Sequence, residues 1–161
     1  MNLSQLNILL ADDDEDDCLF FKEALAEIAA TINFTAVHNG EQLMQLLTDE
    51  TYKLPHILFL DLNMPRKNGF ECLTEIKQNK KLKNLPVIIF STSFEQEVVN
   101  LLYRNGAQFF IRKPSEFAQF KKIIKHTLAL IIQNLPGGQS LNALQTTREN
   151  FVITVENSLA I

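Results

Sequence analysis

The sequence predicts an α/β fold built on a parallel sheet. Short continuous apolar runs alternate with helix-period stretches five times along the chain. An acid, a hydroxyl or an ammonium stands at the end of four of those runs. The chain has 161 residues, 46% hydrophobic and 21% charged, the length and composition of one globular domain.

The first run, Asn7–Ala11, leads to a helical stripe of Phe20, Phe21, Ala24, Leu25 and Ile28. Phe34–Val37 is followed by Leu43, Leu46 and Leu47, and Ile57–Asp61 by Phe70, Leu73 and Ile76. Val87–Ser91 precedes Val98, Val99, Leu101 and Leu102. These four runs read as buried strands by their length and their branched and aromatic content. The fifth, Gln108–Arg112, is more mixed, and its helix carries Phe117, Phe120, Ile124, Leu128 and Ile131. Right-handed crossovers then place helices on both faces of the sheet. Functional side chains are expected at the carboxyl ends of the strands, beside the switch in strand order.

Past Gln133 the pattern stops at Asn134, Leu135, Pro136, Gly137 and Gly138. Residues 1–133 are therefore expected to form the domain and residues 134–161 a tail, too short for an output domain. The tail's strand-like stretch, Phe151–Val155, is expected to pair with a sheet edge, its own or a neighbour's, or to order only on meeting a partner. On the last helix, Ile123 and Leu130 flank the main stripe, a candidate homodimer face or dock for the tail.

Net charge of −4 argues against a nucleic-acid surface. No stretch reaches the ~20 apolar residues of a membrane span, and the polar Met1–Gln5 does not resemble a signal peptide. The two cysteines, Cys18 and Cys72, fall in helical stretches without CxxC spacing, so neither a disulfide nor a zinc site is indicated. A cytoplasmic protein fits these features.

Asp12, Asp13, Asp14, Glu15, Asp16 and Asp17 are consecutive acids. Asp14 reads as a helix N-cap, and the next three as acids facing the positive end of the helix dipole. Asp12 and Asp13 end a buried strand and need a cation or a partner there. Asp12, Asp14, Asp16 and Glu23 also match positions of a calcium loop, but Asp17 occupies the place where that loop needs glycine.

Asp61 follows the most apolar run of the chain and precedes Leu62, Asn63, Met64, Pro65 and Gly69. A carboxylate there is a candidate nucleophile for an acyl phosphate. Magnesium suits the charge neutralisation this needs, with Asp13, Asp61 and the backbone carbonyl of Asn63 as ligands. The Ser91 hydroxyl and the backbone amides of Leu62 and Thr92 are candidate donors to phosphoryl oxygens. The Lys113 ammonium would stabilise the developing charge.

The segments Ile8–Asp13, Asp61–Pro65 with Gly69, Val87–Thr92 and Lys113-Pro114 resemble those of response-regulator receiver domains, over about Asn7 to Gln133. The resemblance implies a flavodoxin-like, doubly wound five-stranded sheet of order 2-1-3-4-5 with five helices. It implies that Asp61 accepts a phosphoryl group from a sensor histidine kinase or phosphotransfer protein. It implies that Asp12 and Asp13 hold Mg2+, Asp12 through water, and that Ser91 and Lys113 contact the phosphoryl group beside a cis Lys113–Pro114 bond. It further implies a switch at Ser91 and Phe110, read out on the fourth helix, fifth strand and fifth helix. Phe110 lacks the hydroxyl of the tyrosine frequent there, so that switch would rest on packing. The first acids and Thr92-Ser93 look most like single-domain receivers resembling those paired with phytochrome-type or hybrid kinases.

Rival readings are an aspartate-nucleophile phosphatase, a flavin carrier and a DNA-binding regulator. A phosphatase commonly needs a second acid two residues after the nucleophile, where Asn63 stands. A flavin carrier would cradle a phosphate where Asp12 and Asp13 repel it. A DNA-binding regulator lacks the sequence for a helix-turn-helix domain after Gln133. The chain is thus expected to be a signalling module, not an enzyme, that catalyses only its own phosphorylation and dephosphorylation.

Overall fold

Strands β1 (Leu6–Ala11), β2 (Ile32–Val37), β3 (Ile57–Leu60), β4 (Val87–Ser91), β5 (Phe109–Arg112) and β6 (Val152–Ile153) pair in parallel in the computed structural model. Their order is β2-β1-β3-β4-β5-β6, and residues 5–28, 31–133 and 147–155 are described. The first five strands stand in the expected order, so the fold is a flavodoxin-like receiver fold with one added edge strand.

Helices α1 (Glu15–Ala26), α2 (Gly40–Thr48), α3 (Gly69–Gln78), α4 (Gln96–Arg104) and α5 (Phe117–Gln133) cover the sheet. Side chains alternate across it, so β4 sends Ile88 and Phe90 to one face and Val87 and Ile89 to the other. On the first face α1 and α5 enclose Phe21, Phe59, Phe90, Phe120, Ile124 and Leu128. On the second, α2, α3 and α4 enclose Leu43, Leu58, Leu60, Leu73, Ile89 and Leu102. Two apolar faces explain why β1, β3 and β4 are continuous hydrophobic runs. Each fully buried Phe, Leu or Ile contributes on the order of 1.5–3 kcal/mol.

The helix starts follow local chemistry. Asp14 caps α1, its carboxylate accepting from the amides of Asp16 (2.9 Å) and Asp17 (3.1 Å). Asn39 caps α2. Asn68 and Glu71 form a reciprocal capping box at α3.

Several expectations are corrected. Phe34–Val37 belongs to an edge strand, β2, whose residues are half-buried or exposed in alternation, because it has a neighbour on only one side. The fifth strand is not the sheet edge: Val152 and Ile153 of the tail pair with Phe110 and Ile111. The tail therefore orders on its own chain, with Phe151 fully buried against Phe110 and Leu102 and ring to ring with Tyr103 at 5.2 Å. Ile123 is fully buried in the α1/α5 core, so it offers no open face for a second copy, and Leu130 is half-buried against that core. No cis peptide bond occurs among the described residues, so Lys113–Pro114 is trans, the lower-energy isomer of an X–Pro bond where no contact enforces the other. Residues 134–146 and 156–161 of the expected tail lie outside the described residues.

Because β6 runs parallel to β5, Thr154 and Val155 emerge at the carboxyl end of the sheet, beside Thr92, Lys113 and Pro114. Cys18 and Cys72 are free and buried in opposite cores. Burial pushes the Cys18 thiol up to about 12 and that of Cys72 to about 11, as for inert packing residues.

Candidate functional site: an acidic pocket at the carboxyl ends of the strands

Strand register brings the predicted residues together. Ala11 pairs with Leu60, Leu60 with Ile89 and Ser91 with Arg112. The backbone continues this order past the strand ends: Asp61 N–H donates to the Ala11 carbonyl (2.9 Å) and Lys113 N–H to that of Ser91 (2.9 Å). Asp12, Asp61, Ser91 and Lys113 are all buried, while Asp13 and Thr92 are exposed at the rim.

Asp12, Asp13 and Asp61 each offer a carboxylate oxygen, all within 4.8 Å of one another. The Lys113 Nζ lies 2.7 Å from Asp12 Oδ2, 2.9 Å from Asp17 Oδ2 and 3.7 Å from Asp61 Oδ2. Three carboxylates (Asp12, Asp17 and Asp61) thus face one ammonium, with a fourth, Asp13, beside Asp12 and Asp61, a deficit of positive charge. Three hard oxygens in one cluster are a donor set for a small divalent cation such as Mg2+, which needs only one or two carboxylates and keeps water elsewhere. The residues fit such an ion.

The electrostatics carry the same imprint. Burial, the largest influence, and the charges of Asp12 and Asp13 push Asp61 up to about 7 against the pull of Lys113. Burial likewise raises Asp12, against Lys113. For Lys113, burial acts to lower the ammonium, but the facing Asp12 and Asp61 outweigh it and the net direction is up. Lys113 also stands over the Phe90 ring at 5.1 Å.

The loops are positioned by specific contacts. Gly69 carries no side chain because a Cβ there would collide with the Asp61 carbonyl oxygen. The β3–α3 loop passes through a left-handed turn at Arg66 (φ 69°), whose guanidinium meets Glu41 at 3.5 Å. Asn63 is exposed. Its amide N–H points at Asp61 Oδ1 (3.4 Å) and its side chain donates to Ser93 Oγ (3.2 Å). Ser91 Oγ accepts from the Ser93 amide at 3.2 Å. Phe110 is fully buried, edge-on to Phe94 at 5.9 Å, and its amide donates to the Phe151 carbonyl (2.9 Å). With Leu62, Phe70, Val98 and Leu101 it lines a cleft of about 310 Å³ beside the pocket.

Two contacts escape the sequence reading. Asp17 serves the α1 N-terminus as expected, but it also binds Lys113, a pairing that no local spacing reveals across 96 residues. His38, at the end of β2, places Nδ1 3.2 Å from the Asp12 carbonyl oxygen.

Comparison with known proteins decides the family. The sequence profile of the response regulator receiver domain matches residues 8–125. The chain belongs to that family. Response regulator Rcp1 of Synechocystis is 30% identical over 122 residues, covering 73% of this chain and 83% of the relative. The solved Mn2+-bound form of Rcp1 superposes with a TM-score of 0.76 at 27% identity, covering 80% of this chain and 96% of that one. The phosphorylated cyanobacterial phytochrome response regulator RcpA gives a TM-score of 0.72 at 31% identity, covering 76% and 91%. This receiver protein is therefore a response regulator of two-component signalling. Among its described residues no helix is long and apolar enough to cross a membrane.

Proposed function

We propose that this response regulator is a phosphoacceptor in a phosphorelay, with Asp61 as the residue modified and a histidine kinase or phosphotransfer protein as the donor. The observation that carries this reading is the convergence of Asp12, Asp13 and Asp61 within 4.8 Å, with Lys113 beside them. An Asp61 oxygen forms the bond to phosphorus. The bond from phosphorus to the donor's imidazole nitrogen breaks, and its electron pair stays on that ring. Asp12, Asp13, Asp61 and the Asn63 carbonyl would hold Mg2+, which supplies charge neutralisation when bound. The Lys113 ammonium and the Ser91 hydroxyl, with the amides of Leu62 and Thr92, stabilise the phosphoryl oxygens.

The presence of phytochrome response regulators among the solved relatives supports a phytochrome-type kinase as the donor. Output through Ser91 and Phe110 rests on packing, since Phe110 has no hydroxyl. Incubation with acetyl phosphate, with and without Mg2+, followed by intact mass tests the acceptor. One phosphoryl adduct, dependent on Mg2+ and missing in Asp61→Asn, is the expected result; an equal adduct on Asp61→Asn would remove Asp61 from the role.

A further inference from the structure

Lys113 is held by two carboxylates of different character. Asp12 is sealed from water, with a side chain 0% exposed, and cannot be rehydrated if the ammonium leaves it. The Asp17 side chain is 20% exposed and sits in the first turn of α1, where water and the helix dipole stabilise a released carboxylate. At 3.7 Å from Asp61, Lys113 is beyond hydrogen-bond distance of the acceptor oxygen in this arrangement. The Phe90 ring also stands beside it, its centroid 5.1 Å from Nζ.

We propose that Asp17 is a positioning residue that holds the Lys113 ammonium off the acceptor aspartate in the unphosphorylated protein and yields it when a phosphoryl group arrives. This rests on Asp61 being the acceptor. The ammonium keeps Asp12 throughout, because breaking that buried pair is the costlier option. Exchange is then between Asp17 Oδ2 and a phosphoryl oxygen. Asp17 thereby lowers the affinity of the pocket for a phosphoryl group and slows its arrival.

The test compares Asp17→Ala with Asp16→Ala, which removes the same formal charge one residue away from an exposed side chain. Acetyl phosphate with Mg2+ supplies the reaction rate by intact mass, and beryllium fluoride with Mg2+ supplies an equilibrium affinity without chemistry. Asp17→Ala is expected to label roughly fivefold faster than Asp16→Ala and to bind beryllium fluoride tighter by a similar factor. Both gains vanish in a Lys113→Met background, since the effect acts through the ammonium. Nitrogen NMR of the Lys113 side chain in the metal-free native chain reads the contact directly. Its ammonium protons exchange slowly, and in Asp17→Ala they exchange faster. Asp17→Asn serves the same comparison should the alanine variant fold poorly. Equal rates for the Asp16 and Asp17 variants, a slower Asp17 variant, or a gain that survives Lys113→Met overturns the proposal. Absence of any adduct on the native chain would instead sink the acceptor reading.

Discussion

Asp12 and Asp61 at the floor of the acidic pocket and the phenylalanine cluster beneath them are both buried, and they are built for opposite ends. Phe21 meets Phe59 edge-on at 4.8 Å and Phe90 at 5.8 Å, and Phe90 meets Phe120 at 5.2 Å. Every group there has an apolar partner, so burial stabilises. At the ends of the same strands, Asp12, Asp61, Ser91 and Lys113 are also buried, and three carboxylates share one ammonium. Burial there raises the free energy of the charged forms. The change from one regime to the other takes a single residue: Ala11 to Asp12, Leu60 to Asp61, Phe90 to Ser91. One part of the molecule holds the fold, and the other stores electrostatic tension.

Damage to the aromatic side of this contrast should cost the most stability. Phe21→Ala is expected to lose about 3–5 kcal/mol in urea unfolding, with phosphoryl labelling of the folded fraction preserved. Loss of labelling at full folded population would show that the two regions are coupled rather than separate.

The pocket side should reveal itself through pH. The folded-state value of Asp61, about 7, lies above its ordinary 3.8, so between those values the folded protein holds a proton that the unfolded chain has lost. Stability from this group is fully present below pH 3.8 and disappears as pH rises through about 7. Asp12, raised by burial, acts in the same direction. Metal-free protein should therefore show a lower urea midpoint at about pH 8 than at about pH 5.5, with a smaller difference in Asp61→Asn. Added Mg2+ should restore the midpoint at the higher pH, where the carboxylates are ionised. A midpoint indifferent to both pH and metal would show that the buried charges carry no tension.

The smallest effect is expected between the two regions, where the capping box of Asn68 and Glu71 starts α3 after the loop that follows Asp61. Asn68→Ala should cost about 1 kcal/mol. Circular dichroism melts, with labelling rates alongside, would show whether that loss also loosens Asp61.

Much of this was legible in the residues. Strands buried on two faces must be continuous apolar runs, and so β1, β3 and β4 could be read directly. The candidate site residues Asp12, Asp61 and Ser91 could be located because they end those runs. The burial of β2 was misread because Phe34 and Val37 look like core residues, although the implied order 2-1-3-4-5 already sets that strand at an edge. The Asp17–Lys113 pair joins elements far apart in sequence and carries no local periodicity. The place of Phe151–Val155 was equally unreadable: an apolar stretch suits several partners, and only the shape of the α4–β5 surface selects among them. That selection has a cost for the expected output face. Phe151 and Arg148 meet Tyr103 of α4, so part of the expected readout surface is already covered by the same chain.

The direction of the last strand has a practical bearing. Val155 stands in the rim around Thr92, Lys113 and Pro114. An environment-sensitive dye attached through a cysteine at that position would sit within reach of the acidic pocket. Its emission would then report the proposed phosphoryl turnover in real time, without radiolabel.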